Sequence, residues 1–216
     1  DQYSCRVDTL GECKIVSPVN HHEFIHEGER IFISEEEAYM KEMEKKLGHL
    51  PTFERAGPLP KIFHDPNWTR VGIVTAGGLC PGLNNVIRGL VTHLWNRYGV
   101  TNIVGIQYGY AGGNPANGLP FITLAPDLVD DIHKDGGSML GSSRGEQPIE
   151  TVVDTLERNN INILFCVGGD GTLRGAHAIQ QEIEKRNLKI AVAGVPKTID
   201  NDINYIEKSF GFESAF

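Results

Sequence analysis

An α/β fold built on a parallel sheet, with helices on both faces, is predicted by two features of the sequence. From Thr69 onward, short apolar runs alternate with helical patterns, and the connecting turns are short and rich in glycine. Four of these turns, GGLCPG, YGYAGG, GGDGT and PKTIDND, follow the apolar runs RVGIVTA, NIVGIQ, INILFCV and KIAVAGV. Strands inside a parallel sheet are covered on both faces and read as continuous apolar runs, joined by crossover helices. Ligands of such sheets sit beyond the carboxyl ends of the strands, so the four turns share one candidate edge.

Residues 1–66 read as a peripheral amino-terminal arm, with little apolar periodicity and the loop-like segments SPVNHHE and RAGPLPK. One short helix is expected there. Ser34 and Glu37 have the spacing of a capping box, and EEEAYMKEMEKKL is rich in helix formers up to Gly48. Residues 67–216 form the α/β domain. RVGIVTA is its first strand, and LNNVIRGLVTHLWNRY follows as a helix with an apolar spacing at Val86, Leu90 and Leu94. NIVGIQ is a strand, and PIETVVDTLERNN is a helix with Pro148 in its first turn. INILFCV is a buried strand, LRGAHAIQQEIEKRN a helix, and KIAVAGV the last strand before PKTIDND. FGFESAF reads as the start of a further helix and the chain lacks an initiator Met, so it is expected to be part of a longer protein.

Composition narrows the function classes. With 216 residues, 40% of them hydrophobic, the chain can bury a full core, and 25 glycines are its one clear excess. A net charge of -8 argues against a nucleic-acid backbone or an anionic membrane as the main partner. An acidic protein still binds phosphates where backbone N–H groups, a few cations and a metal converge. No apolar run reaches transmembrane length. Cys5, Cys13, Cys80 and Cys166 show neither zinc nor disulfide spacing, which points to a reducing compartment: the cytoplasm, or an organelle such as a glycosome or plastid.

GGDGT, Gly168 to Thr172, carries the strongest chemical signal. Glycines let backbone N–H groups approach phosphate oxygens, and the following helix turns its positive end toward them. A carboxylate among those glycines suits Mg²⁺, a hard cation that bridges phosphates; the plain alternative is Asp170 as a helix N-cap. GGLCPGLNN, Gly77 to Asn85, is a second candidate cradle. GGSMLGSSRG, Gly136 to Gly145, reads equally as a solvated loop or as a source of phosphate donors: the Arg144 fork and the hydroxyls of Ser138, Ser142 and Ser143. In PKTIDND, one aspartate could serve as a base for an alcohol while the other orients substrate, and Lys197 could neutralise a moving phosphoryl group. His22–Glu23–Phe24–Ile25–His26 satisfies HExxH, but it lies between Pro18 and Gly28, too short a span for the helix such a zinc site needs.

Together these motifs resemble the 6-phosphofructokinase family: TAGGLCPGLN, LGSSRG, GGDGT and PKTIDND occur in the family's order with similar spacing, over about residues 69–216. FERAGPLPKIF looks like the amino-terminal extension of the plant and protist ATP-dependent branch. The resemblance implies a Rossmann-like nucleotide-binding domain here, with most of a second, sugar-phosphate domain missing. It implies transfer of a phosphoryl group from ATP–Mg²⁺ to the 1-hydroxyl of fructose 6-phosphate in glycolysis, by an allosteric enzyme that is a homo-oligomer at full length. By the same resemblance Asp200 is the base, Thr198, Ile199 and Asp202 line the sugar and the transferring phosphate, and Asp170 holds Mg²⁺. Gly78, Arg144, Gly145, Gly169, Gly171 and Thr172 would contact ATP, with Tyr110 near the adenine. The family's Met-Gly-Arg segment, which grips the sugar phosphate, is absent, so the chain alone is expected to be inactive.

The phosphoryl donor rests on two positions. Glycine at 171 marks ATP users in the family, because a carboxylate there would crowd and repel the α-phosphate of a nucleotide. Lysine at 197 is common in pyrophosphate users, and the plant and protist ATP-dependent branch combines the two, so ATP is expected. The alternatives are a pyrophosphate-dependent phosphofructokinase, an NAD or diacylglycerol kinase sharing the GGDGT turn, and a non-catalytic nucleotide-binding module that acts with a partner.

Overall fold

The computed structural model describes residues 7–19, 24–26 and 28–216, and the chain divides into two units, Asp1–Phe63 and His64–Phe216. The first unit carries, in order, β1 (Ile15–Val16), β2 (Arg30–Phe32), α1 (Glu37–Leu47), β3 (Thr52–Glu54) and β4 (Lys61–Ile62). β1 pairs with β4 and β2 with β3, both antiparallel. Strands of two or three residues carry no readable periodicity, so the sequence pattern shows only the helix. The expected capping box does not form. Glu36 is the cap residue and makes no side-chain bond, while the Ser34 hydroxyl accepts from the Glu36 N–H at 3.1 Å. The other end behaves as expected: Gly48 adopts φ 78° and its N–H reaches the Glu44 carbonyl at 2.8 Å, a turn that favours glycine. His22 and Glu23 of the HExxH match lie outside the described residues.

The second unit runs β5 (Arg70–Ala76), α2 (Leu83–His93), β6 (Asn102–Ile106), β7 (Ile122–Leu124), α3 (Pro126–Val129), α4 (Ile149–Arg158), β8 (Ile163–Gly168), α5 (Asp170–Lys185), β9 (Ala191–Pro196) and α6 (Phe212–Ala215). One sheet has the order β7-β6-β5-β8-β9. Four of its strands are parallel, as expected, but β7 lies antiparallel along β6 at the edge. An antiparallel return needs no crossover helix, and the three residues ITL are too few to announce a strand.

Alternate residues of each strand feed opposite faces. Val71, Ile73 and Ile103 pack with Ile87 and Val91 of α2 and Val129 of α3. Val74, Val104, Leu164 and Cys166 pack with Val152, Val153 and Leu156 of α4 and Ala176, Ile179 and Ile183 of α5. Burying one such side chain contributes about 1.5–3 kcal/mol, so both layers hold the sheet strongly. The buried apolar stripe of α2 is Leu83, Ile87 and Val91, continued by Leu94 just beyond its end; Leu94 is buried as expected, while Val86 and Leu90 are only partly buried. That helix is apolar around much of its circumference, so several stripes fit a 3.6-residue period and packing selects among them. Pro148 stands just before α4 as its cap, and its carbonyl accepts from the Val152 N–H at 3.1 Å. Among the described residues, no helix is long and apolar enough to cross a membrane.

Register decides where the turns emerge. Ala76 pairs with Gly168, and Gly168 with Pro196, so β5, β8 and β9 end at one level.

Candidate functional site

The three turns that leave this level are joined by short backbone contacts. At the end of β8, Gly168 leaves no room for a side chain: a Cβ there would stand 2.2 Å from Thr172 Oγ1 and 2.6 Å from the Ala76 carbonyl. Thr172 is buried, and its hydroxyl donates to that Ala76 carbonyl at 3.2 Å. The Lys197 N–H donates to the Gly168 carbonyl at 3.0 Å, which ties the start of PKTIDND to GGDGT. The first turn needs Gly77 in the left-handed region, φ 84°, and its N–H donates to the Ser143 carbonyl at 3.1 Å.

The GGSMLGSSRG loop is laid along the end of β5. The Thr75 hydroxyl donates to the Gly141 carbonyl at 2.9 Å and accepts from Ser138 at 2.7 Å. Ser142 donates to the Gly77 carbonyl, and Ser143 to the Tyr108 carbonyl at 2.6 Å. Asn84, buried on α2, holds the loop from its other side, donating to the Asp135 carbonyl at 3.1 Å and accepting from the Met139 N–H at 2.8 Å. The three serine hydroxyls read from the sequence as phosphate donors therefore fasten the loop instead. A buried carbonyl must find a donor, and these hydroxyls are the nearest supply.

What the fastened turns present is charge. Seen from Gly78, Arg144 Nη2 lies 3.6 Å and Lys197 Nζ 3.8 Å from the point a Cβ would occupy. Lys197 is buried and Arg144 exposed, and neither side chain enters a hydrogen bond or ion pair among the described residues. Asp170 is the first residue of α5, exposed, and its carboxylate makes no capping bond because Gly169 occupies the cap position. Gly171 follows, exposed, with nothing within 4 Å of a built Cβ. The sixteen-residue helix α5 thus offers an open N-terminus and its partial positive charge to a ligand. Gly145, at φ 112°, is exposed beside Arg144.

PKTIDND is organised around Thr198, which is buried. Its hydroxyl donates to Asp202 Oδ1 and accepts from the Asp200 N–H at 3.2 Å. Asp200 is exposed, and its carboxylate takes no hydrogen bond or ion pair among the described residues. Ile199, 39% exposed, lies beside it in the chain.

Tyr110 stands apart from this cluster. It is half-buried against Cys166 and the α5 layer, its ring is 2.6 Å from a Cβ built on Gly175, and its hydroxyl donates to the Thr172 carbonyl at 2.7 Å. Burial pushes its phenol well above the ordinary value and pushes the Cys166 thiol up to about 11.

Several contributors escaped the sequence reading. Tyr108 sits at φ 52°, its N–H bonded to the Leu140 carbonyl at 2.8 Å and its half-exposed ring against Gly141, where a Cβ would come within 2.7 Å. Cys80 is buried in GGLCPG, and its thiol donates to the Phe210 carbonyl at 3.1 Å. Burial raises its pKa, partly opposed by the Lys197 ammonium. A non-glycine residue at positive φ or a thiol bonded across 130 positions leaves no local signal.

The chain is similar to known proteins. The model of the Phosphofructokinase family matches residues 70–216, which contain all four turns. The ATP-dependent 6-phosphofructokinase of Borreliella burgdorferi is 50% identical over 97% of this chain and 48% of its own. The enzyme of the same name from Entamoeba histolytica is 48% identical over 98% of this chain and 47% of its own, so the chain spans about half the length of these relatives. Among solved structures, the pyrophosphate-dependent phosphofructokinase of Marinobacter aquaeolei superposes with a TM-score of 0.60 at 21% identity, over 67% of this chain and 37% of that one. At that identity the likeness concerns the fold alone. A family match over more than half of the chain, near-half identity along nearly all of it and a shared fold lead to one conclusion: the chain belongs to the phosphofructokinase family.

Proposed function

We propose that this chain is the nucleotide-binding part of a 6-phosphofructokinase that transfers the terminal phosphoryl group of ATP to the 1-hydroxyl of fructose 6-phosphate. The observation that carries the reading is the convergence on Gly78 of two cations, Arg144 and buried Lys197, neither of which enters an ion pair among the described residues. A buried ammonium without a counter-ion is costly, and a polyphosphate in the cradle would supply the missing charge. The names of the relatives, ATP-dependent 6-phosphofructokinases, agree with this donor and acceptor.

Within this reading each residue has a physical task. The N–H groups of Gly78, Gly169, Gly171 and Thr172, with Arg144 and Gly145, hold the phosphates of ATP, and Tyr110, which the resemblance places near the adenine, braces the GGDGT turn through its bond to the Thr172 carbonyl. Lys197 balances charge on the group in transit. Asp200 takes the proton of the acceptor hydroxyl, and Thr198, Ile199 and Asp202 shape the ground around it. The open space at Gly171 favours ATP over pyrophosphate, since it leaves room where the α-phosphate of a nucleotide would lie.

A magnesium ion fits Asp170, whose carboxylate is exposed and unbonded at the mouth of α5. Among the described residues no group of three or more His, Cys, Asp or Glu could hold a metal alone. That suits a cation that takes most of its oxygens from phosphate and water. When bound, it would neutralise charge across the phosphates. By family resemblance the complete protein assembles with copies of itself and works in the cytoplasm or another reducing compartment.

The test is Asp200→Asn in the complete enzyme. kcat with ATP and fructose 6-phosphate should fall by on the order of 100–10,000-fold while ATP binding persists. Unchanged turnover would remove Asp200 as the base.

A further inference from the structure

Asp200 hangs on a loop that its own carboxylate does not fasten, since that group takes no hydrogen bond or ion pair among the described residues. Its two flanks are both fastened to one later residue. Asn201, at φ 54°, accepts the Ser209 N–H on Oδ1 at 2.7 Å, and its Nδ2 donates to the Glu207 carbonyl at 2.8 Å. Ser209, buried, donates its hydroxyl to the Thr198 carbonyl at 2.6 Å. Thr198 in turn accepts the Asp200 N–H. The chain just beyond Ser209 is anchored on the first cradle: the Phe210 carbonyl receives the Cys80 thiol at 3.1 Å. Gly211, at φ 83°, passes so close that a Cβ would stand 2.2 Å from the Pro81 carbonyl.

We propose that Asn201 and Ser209 are positioning residues that act as a latch, holding the Thr198–Asp202 backbone so that the Asp200 carboxylate is aimed at the acceptor hydroxyl. This rests on the reading of Asp200 as the base. The latch bonds satisfy polar groups of a loop that lies outside regular structure, and their loss frees the loop rather than the sheet. A displacement of about 1 Å in a catalytic group can cost on the order of 100-fold in rate.

The test uses the complete enzyme and compares Ser209→Ala, Ser209→Thr, Asn201→Gly, Asp200→Asn and the double variant Asp200→Asn with Ser209→Ala. Asn201→Gly permits the left-handed backbone while deleting both side-chain bonds, so it reports the latch even where Ser209→Ala fails to fold. The latch is supported if Ser209→Ala and Asn201→Gly lower kcat by roughly 10–100-fold with the KM for ATP within about twofold, and Ser209→Thr restores most of the rate. It also requires the double variant to be no slower than Asp200→Asn alone, because a residue that acts only through Asp200 has nothing left to position. Additive losses in the double variant, or full turnover in Asn201→Gly, would overturn the latch and leave the base assignment standing. Full turnover in Asp200→Asn would overturn both.

Discussion

Arg144 and Lys197 converge on the same glycine although both are cations, approaching the Cβ position of Gly78 from two different loops at 3.6 and 3.8 Å. Like charges gathered at one point repel each other, and the more so where one of them is shielded from water. Neither enters an ion pair among the described residues, so the folded chain holds an anion-shaped demand ready before any ligand arrives.

Gly78→Ala tests that demand without disturbing the fold. The added methyl would make ordinary contacts with the two cationic groups and no closer one, so the melting temperature should stay within about 2 °C. The methyl would still occupy the space between the charges, and ATP affinity measured by calorimetry on the complete enzyme should fall about tenfold. Gly168→Ala makes the contrast, because its methyl would collide with Thr172 and the Ala76 carbonyl and should destabilise by roughly 1–3 kcal/mol.

Gly171→Asp separates the two phosphoryl donors. The position is open and lies in the first turn of α5, where a carboxylate is favourable to the helix, so the variant should fold as well as the parent. ATP use should fall on the order of 100-fold, through repulsion of the α-phosphate, and far more than pyrophosphate use. Initial rates with each donor decide it; equal loss with both defeats the assignment of ATP.

Alkaline pH should weaken the α5 layer through Cys166. Its thiol titrates near 9.0 in an unfolded chain and at about 11 when buried, so the unfolded state loses its proton first. The stabilisation is intact below pH 9 and drains away as pH rises toward 11, by ~2–3 kcal/mol for the thiol alone. Tyr110 shifts in the same direction and adds to the loss above pH 10. Urea midpoints measured between pH 8 and pH 10.5 should fall for the parent and fall less for Cys166→Ala.

The ends of β5, β6, β8 and β9 are visible in the sequence because a buried parallel strand must be apolar throughout and the turn after it must admit backbone close to a ligand. Glycine is the mark of that second requirement, so Gly77, Gly168 and Gly169 stand out before any coordinates are known. Hydroxyl groups carry no such mark. Ser138, Ser142 and Ser143 look like ligand donors in a list of residues, yet the nearby carbonyls of Gly77, Gly141 and Tyr108 settle where that loop's hydroxyls and Thr75 are used. The roles of Asn201 and Ser209 are hidden for a related reason: their bonds join positions six, eight and eleven apart around a left-handed residue, which no period or motif describes. β7 is hidden by its length, and the stripe of α2 by the helix having too many apolar positions rather than too few.

The bond from the Lys197 N–H to the Gly168 carbonyl closes the β8–β9 ladder at its last pair, Gly168 with Pro196. The cradle is therefore the last rung of the sheet rather than an appendage to it. A chain warmed until that rung opens is losing the pairing of β9, the edge strand, with β8, so binding competence should disappear with that pairing. A ligand that stabilises this rung would consequently protect that pairing against heat, beyond the residues it touches.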